Sequence, residues 1–340
     1  MSNYKFFAII AAFFAVYVSA PAYGQTDATK ADDDIELLVP VPQPDKSIIR
    51  LDERCNYILY HFWDNFNFKN AFSARKRFEK TFGTFLEFTP YATADTVHLV
   101  LDRMIKDVAK AKPQMLLDLC EIAESYCHGD SAEYASDELY YPFVEAVVTN
   151  KKAKGPTRAR FEAQYRQLQN SRVGSDISGF TFTRPDGTTM KLGDVSAPHV
   201  LLMFVDPECV DCRLAKARLS ADFVISAFVK NDILDIVTVY PGEATDGEWA
   251  SDAASMPEGW ITGANPEADL DFEIPQTPTI YYAYRDDNGV VVKAKNVRVD
   301  NVLNAFHSIM ENAGKNNAEP DFPTQTDGEP AQQPTAQPAQ

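Results

Sequence analysis

The stretch Leu201-Leu202-Met203-Phe204-Val205-Asp206-Pro207-Glu208-Cys209-Val210-Asp211-Cys212 decides the fold of the C-terminal half. Residues 199–205 (HVLLMFV) form a continuous apolar run, the pattern of a strand covered on both faces. Asp206-Pro207-Glu208 breaks the run, and residues 213–219 are helix-forming. Cys209 and Cys212 therefore stand at the start of a helix, just past a buried strand. A helix start presents unpaired N–H groups and the positive end of the peptide dipoles, which stabilise a thiolate. The thiolate is the nucleophile of disulfide exchange. The spacing assigns Cys209 as attacking thiol and Cys212, one turn inward, as resolving thiol. A structural disulfide and half of a zinc site are the alternatives. Zinc needs further Cys or His at suitable spacing, whereas His199 and His307 are isolated and no second Cys pair exists. No metal and no cofactor is expected.

Around this stretch the chain alternates strands and helices. Phe180 and Phe182 alternate with polar residues, Pro185-Asp186-Gly187 signals a turn, and Met190 and Leu192 lie on a return strand. A second helix is predicted over residues 221–229 and a strand over 233–240. Residues 279–284 and 290–294 flank Asp287-Asn288-Gly289, a hairpin signal. Asp300 is placed to cap a last helix with Leu303, Phe306 and Met310 on one face, ending near Gly314. The order fits an α/β sheet layered between helices. Trp249 and Trp260 fall in a Gly, Glu, Asp and Pro-rich insertion, either lining the approach to Cys209 or packing beneath a loop. Arg213 and Lys216 either tune Cys209 or face solvent.

Residues 46–172 read as helices. Phe78, Phe82 and Phe85 recur at helical spacing, as do Val97, Leu101, Met104 and Val108, then Leu116, Leu119 and Ala123, then Phe161, Tyr165 and Leu168. Pro113 suits a first helical turn. Leu139, Phe143 and Val147 form another stripe with Ser136 as N-cap, a helix signal that the interior Pro142 weakens. The aromatic string Tyr57, Tyr60, Phe62, Trp63, Phe66 and Phe68 is expected in the core, a ligand groove being the alternative. Cys120 and Cys127 are seven residues apart on one helix, about 10 Å, too far for a disulfide. With Cys55 they are expected to be buried free thiols, a Cys55–Cys120 or Cys55–Cys127 bridge between helices being the alternative.

The ends carry other signals. Residues 1–24 combine one early Lys, an apolar run over 6–18 and a small-residue exit, which reads as a secretory signal peptide. That run is short for a membrane span, so no membrane anchor is expected once the signal is cleaved. Residues 25–45 are a polar, Pro-containing linker. Residues 315–340 are a Pro, Gln and Ala-rich tail expected to be disordered. The 340 residues hold 49 Asp plus Glu against 32 Lys plus Arg, a net charge of −17. Such a balance argues against nucleic-acid backbones and anionic membranes as partners.

Residues 174–313 resemble the thioredoxin fold, in particular the TlpA/ResA-like branch of exported thiol–disulfide oxidoreductases. The segments that carry the likeness are the Asp186-Gly187 hairpin, the strand-to-helix stretch ending at Cys212, and Gln276-Thr277-Pro278-Thr279-Ile280-Tyr281. The resemblance implies that Pro278 follows a cis peptide, faces the cysteine pair, and leaves the Thr277 backbone to pair with an extended substrate. The whole arrangement also resembles a group of secreted Bacteroidetes proteins of unassigned function, in which Trp63 and residues 170–174 (NSRVG) belong to recurrent segments. The expected architecture is an α/β thioredoxin-like domain over 173–314, preceded by an all-α domain over 46–172.

Two departures from the thioredoxin pattern bear on the chemistry. Glu208 replaces the usual Trp, and Val210-Asp211 the usual Gly-Pro. Glu208 and Asp211 set carboxylates beside the sulfurs, and like charge raises a thiol pKa. They are read as redox-tuning residues that favour a reductant over an oxidant. The expected activity is disulfide exchange with protein thiols or disulfides in the periplasm or outside the cell. A non-catalytic binding or scaffold protein with a structural disulfide is the alternative.

Overall fold

The computed structural model describes residues 35–129, 131–287 and 289–312. The signal-peptide and tail expectations fall outside the described residues. So does the end of the last helix near Gly314.

Six helices build the first region: α1 Leu51–His61, α2 Arg75–Leu86, α3 Ala94–Ala111, α4 Met115–Cys127, α5 Asp137–Thr149 and α6 Arg158–Ser171. Their stripes meet in one core. Phe78, Phe82, Phe85, Leu101, Val108, Leu119, Phe143 and Phe161 are all buried there. Phe62, Trp63 and Phe68 join it, with the Trp63 ring 5.7 Å from that of Phe78. Tyr60, from the same aromatic string, is instead exposed. Cys55, Cys120 and Cys127 are buried free thiols. Pro113 precedes α4 rather than opening it, in a turn closed by Met115 N–H on the Lys112 carbonyl.

The helix expected around Leu139, Phe143 and Val147 forms, despite Pro142 in its interior. The α5 helix runs through it, capped by Ser136, whose Oγ accepts from Leu139 N–H. Buried Tyr140, Phe143, Val144 and Val147 hold the helix on both sides of the proline, so packing overrides propensity. Pro142→Ala restores a donor to the Glu138 carbonyl. Thermal unfolding should show the variant about 1–3 kcal/mol more stable.

The second region is one seven-stranded sheet in the order β2-β1-β5-β4-β3-β6-β7. The strands are β1 Thr181–Thr183, β2 Thr189–Lys191, β3 His199–Phe204, β4 Leu234–Tyr240, β5 Ile261–Ala264, β6 Thr279–Asp286 and β7 Gly289–Ala294. Helices α7 Val210–Ala221, α8 Phe223–Lys230, α9 Gly247–Ala254, α10 Ala268–Asp271 and α11 Val299–Asn312 complete it. Every residue of β3 is buried. Leu201 and Met203 face α7, α8 and α11, while Leu202 and Phe204 face Phe180, Phe272 and Tyr281. That double coverage is why the run is apolar without alternation.

Strand β5 was not anticipated. It runs parallel to β4 inside the supposed insertion. Trp249 is core, buried with Ala253 and Ala264, while Trp260 is partly buried against the α7 side of the sheet. Asp300 does not cap α11. It lies inside the first turn and pairs with Arg218, while Val302 N–H bonds the Arg298 carbonyl.

The two regions are joined without slack. Gly174 takes φ 89°, a left-handed turn that suits glycine. The chain then runs along β7, with Gly174 N–H on the Val292 carbonyl, Val292 N–H on Ser175 and Ile177 N–H on Val290.

Candidate functional site

Register places the site. β6 runs antiparallel to β3 with Thr279 opposite Phe204, so the start of β6 lies at the carboxyl end of β3. The chain leaving β3 and the chain entering β6 therefore meet at one sheet end, where α/β folds place their ligands.

Asp206 builds the turn between β3 and α7. Its carboxylate accepts from Glu208 N–H at 2.8 Å, and its carbonyl accepts from Cys209 N–H at 3.2 Å. Cys209 is then the N-cap of α7, with extended backbone. Its Sγ accepts from Cys212 N–H at 3.0 Å, and its carbonyl takes the first helical bond from Arg213. The sulfur thus caps a donor that the helix leaves unpaired. Across the cleft, Cys209 Sγ donates to the Thr277 carbonyl at 3.2 Å. The Thr277–Pro278 peptide is cis. All four residues meet at one point.

Burial sets the two thiols apart. Partial burial raises the Cys209 thiol, but hydrogen bonds from the side chains of Cys212 and Thr277 and from the Cys212 and Asp211 amides outweigh it. The net effect holds Cys209 below the ordinary thiol range. Cys212 is fully buried, and burial pushes its thiol up to about 12. Glu208 and Asp211 are exposed beside the sulfurs. Glu208 instead acts visibly on Glu248 across the mouth, raising that carboxyl. The hydrogen bonds lead what lowers Cys209, with neither carboxylate among the main causes.

The sequence named Arg213 and Lys216 but gave no sign of their partners. Arg213 is exposed to solvent, as one of its two readings had it. Its guanidinium bonds the carbonyls of Pro207 and Glu208 at 3.0 and 3.2 Å, bracing the turn before Cys209. Lys216 does not face solvent. It is buried one turn beyond Cys212, with Nζ 2.5 and 2.7 Å from the two oxygens of Asp252 on α9. A groove of about 760 Å³ lies beside the cysteines, lined among others by Asp211, Leu214, Pro278 and Val299. His199 and His307 are engaged elsewhere, with Tyr282 and Asp222 respectively.

A second polar cluster lies where the helical region meets the sheet. His128, Asp137 and Glu273 bring possible ligand atoms within 4.8 Å of one another. Lys295 already fills that space, with Nζ 2.5 Å from Asp137 and 2.7 Å from Glu273. Burial works against its ammonium, yet the two carboxylates outweigh it and hold its titration above the ordinary range.

Among the described residues, no helix is long and apolar enough to cross a membrane. A model of a domain of unknown function, DUF5106, matches residues 25–171. No curated protein matches the chain. Among solved structures the chain is similar to a thioredoxin-like protein from Bacteroides caccae at 20% identity and a TM-score of 0.59, covering 80% of this chain and 98% of that one. A conserved protein of unknown function from Bacteroides fragilis matches at 28% identity and a TM-score of 0.36, covering 39% of this chain and 98% of that one. The thioredoxin domain of a thiol-disulfide oxidoreductase from Bacteroides vulgatus matches at 21% identity and a TM-score of 0.32, covering 40% of this chain and 96% of that one. The chain is thus an all-α region followed by a mixed-sheet domain with the thioredoxin-like fold.

Proposed function

We propose that this chain is an exported thiol–disulfide oxidoreductase acting on protein disulfides through Cys209 and Cys212, in the reductant direction. In this reading residues 1–24 are its export signal, and 46–172 and 173–314 are its two domains. One observation carries the proposal: a half-buried sulfur caps a helix and touches the residue before Pro278.

The chemistry follows from the contacts. Cys209 loses its proton to solvent, releasing the Thr277 carbonyl as an acceptor for an extended substrate strand. The thiolate attacks one sulfur of the substrate disulfide. That S–S bond breaks, and the departing sulfur takes a proton from water. Cys212 then attacks Cys209 Sγ, its proton passing to the departing substrate sulfur. The mixed disulfide breaks, the second substrate thiol leaves, and Cys209 and Cys212 are joined. Two electrons have passed to the substrate. The high titration of Cys212 keeps it protonated until the mixed disulfide forms beside it.

The reductant direction is read from the exposed carboxylates of Glu208 and Asp211, since like charge disfavours a thiolate, while the hydrogen bonds that lower Cys209 oppose it. Equilibration with glutathione or dithiothreitol buffers tests both activity and direction. The expected potential lies near that of thioredoxin, about −270 mV, and a value near that of DsbA, about −120 mV, would overturn the direction. A pair that never equilibrates with either buffer would make the chain a scaffold.

A further inference from the structure

We propose that Ser171, at the end of α6, is a positioning residue that holds the loop carrying Thr277 and Pro278 against Cys209. The helical region would then form part of the exchange site. The inference rests on the exchange reading for its functional meaning, although its geometry stands alone.

The contacts between the two regions converge on one short segment. Arg166 Nε donates to Asp271 Oδ1 at 2.7 Å, and Gln167 Nε2 to the Asp269 carbonyl at 2.7 Å. Asn170 Nδ2 donates to the Asp271 carbonyl at 3.1 Å. Ser171 Oγ accepts from Glu273 N–H at 2.8 Å. Three of these four bonds reach main-chain atoms, so they set the path of the chain itself. The segment they hold leads directly into Thr277.

Ser171 also closes a ring. Its Oγ lies 3.1 Å from the hydroxyl of Tyr281, and that hydroxyl donates to the Glu273 carbonyl at 2.7 Å. Glu273 precedes Pro278 and Tyr281 follows it. The ring therefore ties both stems of the intervening loop together, with the Thr277–Pro278 step at its tip. Ser171 and Tyr281 are fully buried, so water does not compete for these bonds. Lys295 adds a second tie. It links the Glu273 carboxylate to Asp137, at the start of α5. At the tip, the Thr279 hydroxyl bonds the Gln276 carbonyl at 2.5 Å, so displacement at the stems carries to Thr277.

The Thr277 carbonyl is the atom that Cys209 Sγ touches. Loosening the base of the loop should therefore change the surroundings of the sulfur. The same loop carries the Thr277 side chain, whose hydrogen bond helps to lower the Cys209 thiol, so drawing that side chain away should raise it.

The test uses the full chain and two variants, Ser171→Ala and Asn170→Ala. The second removes only one bond at a half-buried position, so it reports even where the first fails to fold. The readout is the rate of Cys209 alkylation by iodoacetamide against pH, with the adduct located by mass spectrometry. The rate follows the thiolate fraction, so the profile should move to higher pH and the rate at pH 7 should fall about threefold or more. For exchange with a peptide disulfide, KM should rise more than kcat falls. Val144→Ala, in the helical core away from this contact, is the control for general loosening.

An unchanged alkylation profile in both variants would overturn the proposal. So would an equal shift in Val144→Ala at a matched loss of melting temperature. Alkylation needs no disulfide substrate. A wild-type chain that exchanges nothing would therefore sink the exchange reading, while the profiles would still decide the positioning.

Discussion

Replacing Cys212 by Ser should leave Cys209 locked in mixed disulfides with its protein substrates, recoverable from cell extract and released by dithiothreitol. The expectation follows from how differently the two thiols are placed. Cys209 is half-buried, caps α7 and is held below the ordinary thiol range, so it meets the substrate first. Cys212 is fully buried behind it, with its backbone N–H on the sulfur that Cys209 presents. Without Cys212, release depends on a free thiol from solution. Aligned intramolecular attack has an effective concentration far above any cellular thiol, so release should slow by about 10³-fold or more. Cys209→Ser should trap nothing and exchange nothing. Mixed disulfides on Cys55, Cys120 or Cys127 in place of Cys209 would contradict the assignment, as would equal trapping by both variants. All three of those thiols are buried, and burial raises Cys120 and Cys127 strongly.

Lys216→Met should destabilise the sheet region by about 3–5 kcal/mol, lowering its thermal midpoint by about 10 °C. Lys216 and Asp252 are each little exposed, at 11% and 14% of their side-chain surface, so water screens the pair poorly. Removing the ammonium strands a carboxylate in a dry place. That cost is much larger than the net worth of the pair. The double variant Lys216→Met with Asp252→Leu should therefore recover most of the loss. A single variant that melts within about 2 °C of wild type would show that solvent reaches Asp252 after all. The result bears on the chemistry, because Lys216 lies one turn beyond Cys212 on the same helix face. The pair anchors to α9 the helix whose first turn carries both sulfurs.

Much of the fold was legible because its signals are local. An apolar run covered on both faces reads as a buried strand, and β3 is one. Phe78, Phe82 and Phe85 mark one face of α2 at helical spacing, and all three are buried. The cysteine pair was legible for the same reason: strand, turn and helix start follow one another within a dozen residues. Strand β5 was not, because four residues (ITGA), only the last two buried, show neither alternation nor an apolar run. The α5 helix was legible from its stripe and its Ser136 cap, and Pro142 only weakened the signal, because propensity acts on one turn while packing acts on the whole length. Asp300 sits where a cap is plausible, but Arg218 on another helix claims its carboxylate. The partners of Glu273 were beyond reach for a different reason. Ser171 and Lys295 lie far from it in the chain, and nothing in composition or period links them.

The passage from α6 to the sheet has a mechanical consequence. Residues 174–177 are stitched to β7 by main-chain bonds at Val290 and Val292, so they offer no free tether. Swinging the helices away would require unzipping part of a strand edge first. The protein should therefore respond to load or heat as one body at this seam, with no hinge there for a protease to find.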